Sequence, residues 1–249
     1  KLYNILKKLK VNISTAKKFY NSQKDENMIL EKNSKFITET SRKKIIDKAI
    51  QKNVELLIFD DGLQDKYICY DLQFVCFDAK KWIGNGKLLP AGPLRENLES
   101  IKKYDGIFLK NNNEANTDEL INLIKKENPQ IEVFTTTIEP KNLNQFDQNE
   151  KFLIFSGIGN SESFKNILEK NNLKIEKEII FPDHYQYKKN DLEKITILAD
   201  KLNSKIITTE KDFVKIRDFD YENINFLEIE LKIKDEEKLL TFIKSRLYE

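Results

Sequence analysis

Short apolar runs, each ending at a turn, recur along the whole chain with amphipathic stretches between them. VELLIFD (54–60), LQFVCFD (72–78), DGIFLK (105–110), IEVFTTTI (131–138), KFLIFS (151–156) and KIITT (205–209) are the clearest. Runs of this length that are apolar at consecutive positions fit strands covered on both faces. VELLIFD reads as a central parallel strand on that ground. The stretches between carry apolar residues at helical spacing. In SRKKIIDKAIQ (41–51), Ile45, Ile46, Ala49 and Ile50 share an inward face and Thr40 is placed to cap the helix. Strand and helix alternate to the end of the chain, which predicts an α/β fold with parallel sheets.

The later elements follow the same rhythm. Helices are expected at 117–127, 161–171, 189–202 and 235–247, with strands at 173–180 and over NINFLEIEL (223–231) as one piece. EPKNLNQFDQNE (139–150) breaks the rhythm with a polar stretch. It predicts a core domain over residues 1–139, a junction at 140–150 and a smaller C-terminal α/β domain over 151–249. The opening KLYNILKKLK places Leu2, Ile5, Leu6 and Leu9 on one face of an uncapped helix.

Composition removes several function classes. Lys and Arg number 43 against 41 Asp and Glu, for a net charge of +2, so the chain has no polyanion-binding balance and no nucleic-acid partner is expected. No apolar stretch reaches the roughly 18 residues of a membrane span. Cys69 and Cys76 form no CxxC and have no zinc-like spacing with histidine; they read as two buried thiols near a strand.

Five stretches can carry chemistry. Asp60 and Asp61 end an apolar run and precede Gly62. Ligands of open α/β sheets gather at such carboxyl ends, and paired carboxylates there suit Mg²⁺ beside phosphates. The same residues also suit an ordinary turn. The long loop AKKWIGNGKLLPAGPLRENLES (79–100) holds PAGPLRE (90–96), whose prolines stiffen it around Arg95 and Glu96. Arg95 suits bidentate phosphate binding, or a surface ion pair with Glu96. His184, the one histidine, lies in FPDHYQY (181–187) after a strand, where it suits proton transfer or a plain structural role. SGIGN (156–160) stands where a strand crosses to a helix, and in TTEKD (208–212) Glu210 and Lys211 either cap and pair or face the site.

Taken in order, DDGLQ (60–64), GNGKLLPAGPLRE (84–96), SGIGN with ESF (162–164), FPDH (181–184) with Tyr187, and TTEKD resemble one family, the tetraacyldisaccharide 4′-kinases, or lipid A 4′-kinases. The resemblance runs along nearly the whole chain. It implies a P-loop NTPase-like three-layer α/β/α core with a second, smaller α/β domain. It implies transfer of the γ-phosphate of ATP, with Mg²⁺, to the 4′-hydroxyl of a tetraacylated glucosamine disaccharide 1-phosphate, giving lipid IVA at the cytoplasmic face of the bacterial inner membrane. Carried over, Asp60 and Asp61 are metal-side acids, with Asp61 also catalytic. Gln64, Arg95 and Glu96 bind substrate or phosphate, Arg95 being catalytic as well. Asp25, in KDE, pairs with His184 to orient and deprotonate the sugar hydroxyl.

Three departures from the family pattern stand out. Asp65 follows DDGLQ where the family has histidine, and Lys24 precedes Asp25 where it has glycine. No GxxxxGK[ST] occurs in the chain. The resemblance therefore implies a phosphate-cradling loop and a membrane-associating segment upstream of Lys1, and weak ATP binding and slow turnover by residues 1–249 alone. Two other readings remain open on the sequence: a non-catalytic lipid- or nucleotide-binding relative, and a P-loop kinase for another sugar or lipid.

Overall fold

The structure, a computed structural model, describes residues 1–65, 67–112, 116–219 and 221–248. The first half runs α1 (Leu2–Leu6), β1 (Ile13–Lys18), α2 (Lys24–Asn33), β2 (Phe36–Glu39), α3 (Arg42–Gln51), β3 (Leu56–Phe59), β4 (Phe74–Asp78), β5 (Gly106–Lys110) and α4 (Thr117–Glu127). The second runs β6 (Glu132–Pro140), β7 (Lys151–Ser156), α5 (Ser161–Lys170), β8 (Lys174–Ile180), α6 (Lys189–Lys201), β9 (Lys205–Thr209), α7 (Glu210–Ile216), β10 (Ile224–Leu227), β11 (Ile229–Ile233) and α8 (Glu236–Tyr248). The chain clusters into two compact units, which it enters and leaves after Lys10, Asp60, Glu139 and Glu230.

One unit, residues 1–10, 61–139 and 231–249, is built on a sheet of order β11-β6-β5-β4 in which β4, β5 and β6 run parallel. Alternation along β5 sends Ile107 and Leu109 to one face, where they pack with Ile101, Ile124 and Ile131. Phe108 points the other way and stacks on Phe74 at 5.0 Å, while Phe134 meets Phe242 of α8 at 5.7 Å. The sheet thus has helices on both faces. Gly106 starts β5 because a Cβ there would stand 2.5 Å from the Phe74 ring.

The other unit, residues 11–60 and 140–230, holds two parallel sheets, β2-β1-β3 and β10-β9-β7-β8. In β7 the alternation is complete. Leu153 and Phe155 pack with Leu192, Ile195 and Ala199 of α6, and Phe152 and Ile154 pack with Phe164 and Leu168 of α5. Each of the Leu, Ile and Phe side chains here, once buried, contributes on the order of 2 kcal/mol. Ala16 and Ile37 of the smaller sheet pack with Ile45 and Ala49 of α3, and α2 lies against α7.

Several local expectations need correction. β3 is an edge strand, and the middle position belongs to β1, whose ISTAK is buried throughout. An apolar run reports that both faces are covered, not which strand sits in the middle. Ser41, not Thr40, caps α3, accepting from Lys44 N at 3.3 Å, and Ile50 is exposed. NINFLEIEL is two strands in two sheets, because the chain changes unit after Glu230 and the segment serves both. Cys69 and Cys76 are exposed, not buried. Among the described residues, no helix is long and apolar enough to cross a membrane.

Candidate functional site

The residues singled out by sequence fall into two groups, one in each unit. In the unit built on β7, Asp25 sits in the first turn of α2 with its side chain 1% exposed. His184 Nδ1 lies 3.2 Å from both carboxylate oxygens of Asp25. A third contact comes from the backbone, as Glu26 N donates to Asp25 Oδ1 at 3.0 Å. His184 follows β8 in the left-handed region, at φ 58°, a conformation that non-glycine residues hold only where neighbours enforce it. Its N–H donates to Gly157 O at 3.2 Å and to Asp183 Oδ1 at 2.9 Å. SGIGN and FPDH are therefore joined, and Gly157 fits because a Cβ would lie 3.0–3.2 Å from Tyr187 Oη, Asp212 Oδ1 and Pro182 O.

TTEKD supplies the frame. Thr208 Oγ1 donates to Phe155 O at 2.8 Å, fixing the end of β9 on β7. Thr209 caps α7 by accepting from Asp212 N at 3.1 Å, and its hydroxyl donates to Asp212 Oδ2 at 2.7 Å. The same oxygen accepts from Gly157 N at 2.9 Å. Lys211 then faces His184, with Nζ 3.5 Å from Nε2, and Glu210 pairs with Lys32 at 2.9 Å.

Asp60 follows β3 and accepts from Lys17 Nζ at 2.7 Å. Lys17 also donates to Glu26. Burial alone pushes the Lys17 ammonium down, but its bonds to Asp60 and Glu26 outweigh that and leave it raised. Burial likewise pushes Glu26 up, and Lys17 and Lys211 overcome it to leave the carboxyl lowered. The arrangement is a charged chain from Asp60 through Lys17, Glu26 and Lys211 to His184 and Asp25.

In the other unit, Asp61 has φ 55° and pairs with Arg95 Nη1, which also stands 3.4 Å from Gln64 Oε1. Arg95 is 58% exposed and Asp61 42% exposed, so both keep capacity toward solvent. The PAGPLRE loop is tied back on itself. Asn85 Nδ2 donates to Ala91 O at 2.9 Å and Lys87 N to Asn85 Oδ1 at 3.1 Å. Glu96 accepts from Tyr104 Oη at 2.8 Å, so its carboxylate anchors the loop beside Arg95. Burial, with Glu96 beside it, pushes the Tyr104 phenol up to about 12. Asp65 is half-buried and accepts from Tyr67 N at 3.0 Å.

A model of the tetraacyldisaccharide-1-P 4′-kinase family matches residues 7–248. The chain belongs to this family. The tetraacyldisaccharide 4′-kinase of Pelagibacter ubique (strain HTCC1062) is 42% identical over 239 residues, covering 96% of this chain and 76% of its own length. That of Rickettsia akari (strain Hartford) is 36% identical over 217 residues, covering 86% of this chain and 64% of its own. This chain thus spans less than two thirds of the Rickettsia protein. The crystal structure of LpxK from Aquifex aeolicus in complex with ATP superposes with a TM-score of 0.71 at 23% identity, over 99% of this chain and 82% of that one. The fold is therefore the P-loop kinase-like α/β arrangement of that structure.

Among the described residues, no three His, Cys, Asp or Glu side chains gather as a metal cluster. Asp60 and Asp61 are consecutive carboxylates, 51% and 42% exposed, and their hard oxygens are of the donor type that Mg²⁺ takes together with waters and phosphate oxygens. Sequence reasoning passed over Lys17, Glu26, Asp212 and Lys215. Two signals for them were present: Lys17 lies within a buried strand, and Lys215 lies one helical turn after Lys211.

Proposed function

We propose that this chain carries the catalytic machinery of an ATP-dependent kinase that phosphorylates the 4′-hydroxyl of a tetraacylated glucosamine disaccharide 1-phosphate. The observation that carries the reading is the Asp25–His184 pair, in a chain that belongs to the kinase family. With Nδ1–H given to Asp25, His184 presents Nε2 as a lone pair able to take the hydroxyl proton. Asp25 holds the ring in that tautomer and balances the imidazolium that forms. Glu26, Lys17 and Lys211 keep the surroundings charged and hydrogen-bonded.

In this reading Asp60 and Asp61 would hold Mg²⁺, with Asp61 also taking part in catalysis, and the ion when bound would supply charge neutralisation for phosphoryl transfer. Arg95 and Gln64 bind phosphate or substrate oxygens, Arg95 exchanging its contact with Asp61 for a bidentate one. Glu96 acts on the same loop through Tyr104. The domain division at residues 139 and 151, and work at the cytoplasmic face of the inner membrane as a peripheral protein, belong to the same proposal.

The test is phosphate transfer from labelled ATP by the intact protein to the tetraacylated disaccharide 1-phosphate and to its 4′-deoxy analogue. Label in the first and none in the second supports the reading. Equal labelling, or none in either, removes it.

A further inference from the structure

α7 carries Lys211 and Lys215 one turn apart, and both ammonium groups face the same oxygen of Asp25, at 3.7 and 3.6 Å. They differ in surroundings. Lys211 is 20% exposed and stands beside His184 Nε2, Glu26 and Asp183. Lys215 is 4% exposed. Its Nζ lies 2.8 Å from Asp212 Oδ1, 3.3 Å from Tyr185 O and 3.5 Å from Gly157 O, over the Tyr187 ring at 5.4 Å. A lysine enclosed this way is out of reach of substrate, and an isolated buried ammonium is unfavourable. Its charge is therefore used inside the protein.

We propose that Lys215 is a positioning residue whose buried charge balances the Asp25 carboxylate, so that His184 meets Asp25 as a neutral ring with Nε2 unprotonated. Charge balance leads there. Asp25 and Asp212 are 1% and 0% exposed carboxylates. Lys211 and Lys215 are the lysines facing Asp25 from α7, and the four charges cancel with His184 neutral. Glu26 and Asp183 also face the ring, at 3.8 and 3.9 Å from Nε2, but Glu26 has Lys17 as its own partner and Asp183 is 45% exposed to solvent. Remove Lys215 and one buried negative charge is left over. A proton on His184 Nε2 restores the balance and takes away the base. The catalytic consequence rests on the reading of Asp25 and His184 as the acceptor-side pair; the charge relationship does not.

The experiment follows the His184 ring by NMR across pH, its signal assigned by loss in His184→Asn. In the unaltered protein the neutral ring is expected to carry its proton on Nδ1. Lys215→Met is expected to raise the ring's titration midpoint by about one pH unit, and Lys215→Arg to leave it nearly in place. Asp212→Asn removes a negative charge and almost no volume; it is expected to lower the midpoint, and it carries the test if Lys215→Met does not fold. Turnover by Lys215→Met at neutral pH then falls about two- to fivefold and recovers at higher pH, which a merely structural defect does not do. A midpoint unmoved in Lys215→Met and Asp212→Asn, or moved the opposite way, overturns the proposal. If instead the midpoints move as expected while His184→Ala keeps full turnover, the functional reading of the pair falls and the role of Lys215 stands.

Discussion

His184 Nδ1 stands 3.2 Å from each carboxylate oxygen of Asp25, although 159 positions separate the two in sequence. The contact depends on α2 lying against α7 and on Gly157 receiving the N–H of His184. Two loops and two helices meet to bring the pair together. Because the residues act as a unit, their loss is expected to be non-additive. Asp25→Asn and His184→Ala each lower kcat by about 10²–10⁴, and the double variant is no worse than the poorer single one. Multiplying losses in steady-state kinetics would show two independent roles.

Arg95 is expected to need its fork. Lysine at position 95 keeps a charge but gives up bidentate geometry. A hydrogen bond to a charged group is worth about 1.5–3 kcal/mol, so Arg95→Lys should lower kcat/KM for Mg-ATP about tenfold or more. Wild-type kinetics from the lysine variant would place Arg95 outside the phosphate contacts.

Tyr104 gives the fold an alkaline limit. Its phenol is raised to about 12, first by burial and then by Glu96, above the usual value near 10. The folded form thus holds a proton that the unfolded chain has lost. Stability from this group is complete below pH ~10 and declines as pH rises from there through about 12. Denaturant midpoints measured between these limits should fall, and fall less steeply in Tyr104→Phe. Parallel curves for the two proteins would assign the decline to other groups.

Gly157 is expected to tolerate no side chain. A Cβ there meets Tyr187 Oη, Asp212 Oδ1 and Pro182 O at 3.0–3.2 Å, and all three belong to the frame around His184. Gly157→Ala should cost about 1–3 kcal/mol in urea unfolding and reduce turnover with it. Full stability would mean the SGIGN crossing can shift without strain.

Legibility of the sequence varied with the kind of signal. Strands 151–156 and 205–209 were readable because both of their faces are buried, and a run of consecutive apolar residues reports that directly. The place of β3 at a sheet edge was not, since strand order is decided by pairing between distant segments. NINFLEIEL read as one strand for a related reason: its pattern is continuous, and only the change of unit after Glu230 divides it. At the site, Asp25 and His184 were reached through motif resemblance, and the structure places them in contact. Lys215 and Asp212 escaped notice because a charged residue in a helix usually marks a solvated face. Here that face is turned inward, and the ion pair at 2.8 Å that makes it possible spans one turn.

The central claim is that His184 takes the proton of the acceptor hydroxyl. Its most direct test is single-turnover phosphate transfer by the intact protein at saturating Mg-ATP, comparing wild type with His184→Ala on the tetraacylated disaccharide 1-phosphate. The account predicts a loss of at least about 10² in the transfer rate, with substrate affinity little changed. Transfer at the wild-type rate by His184→Ala would contradict it.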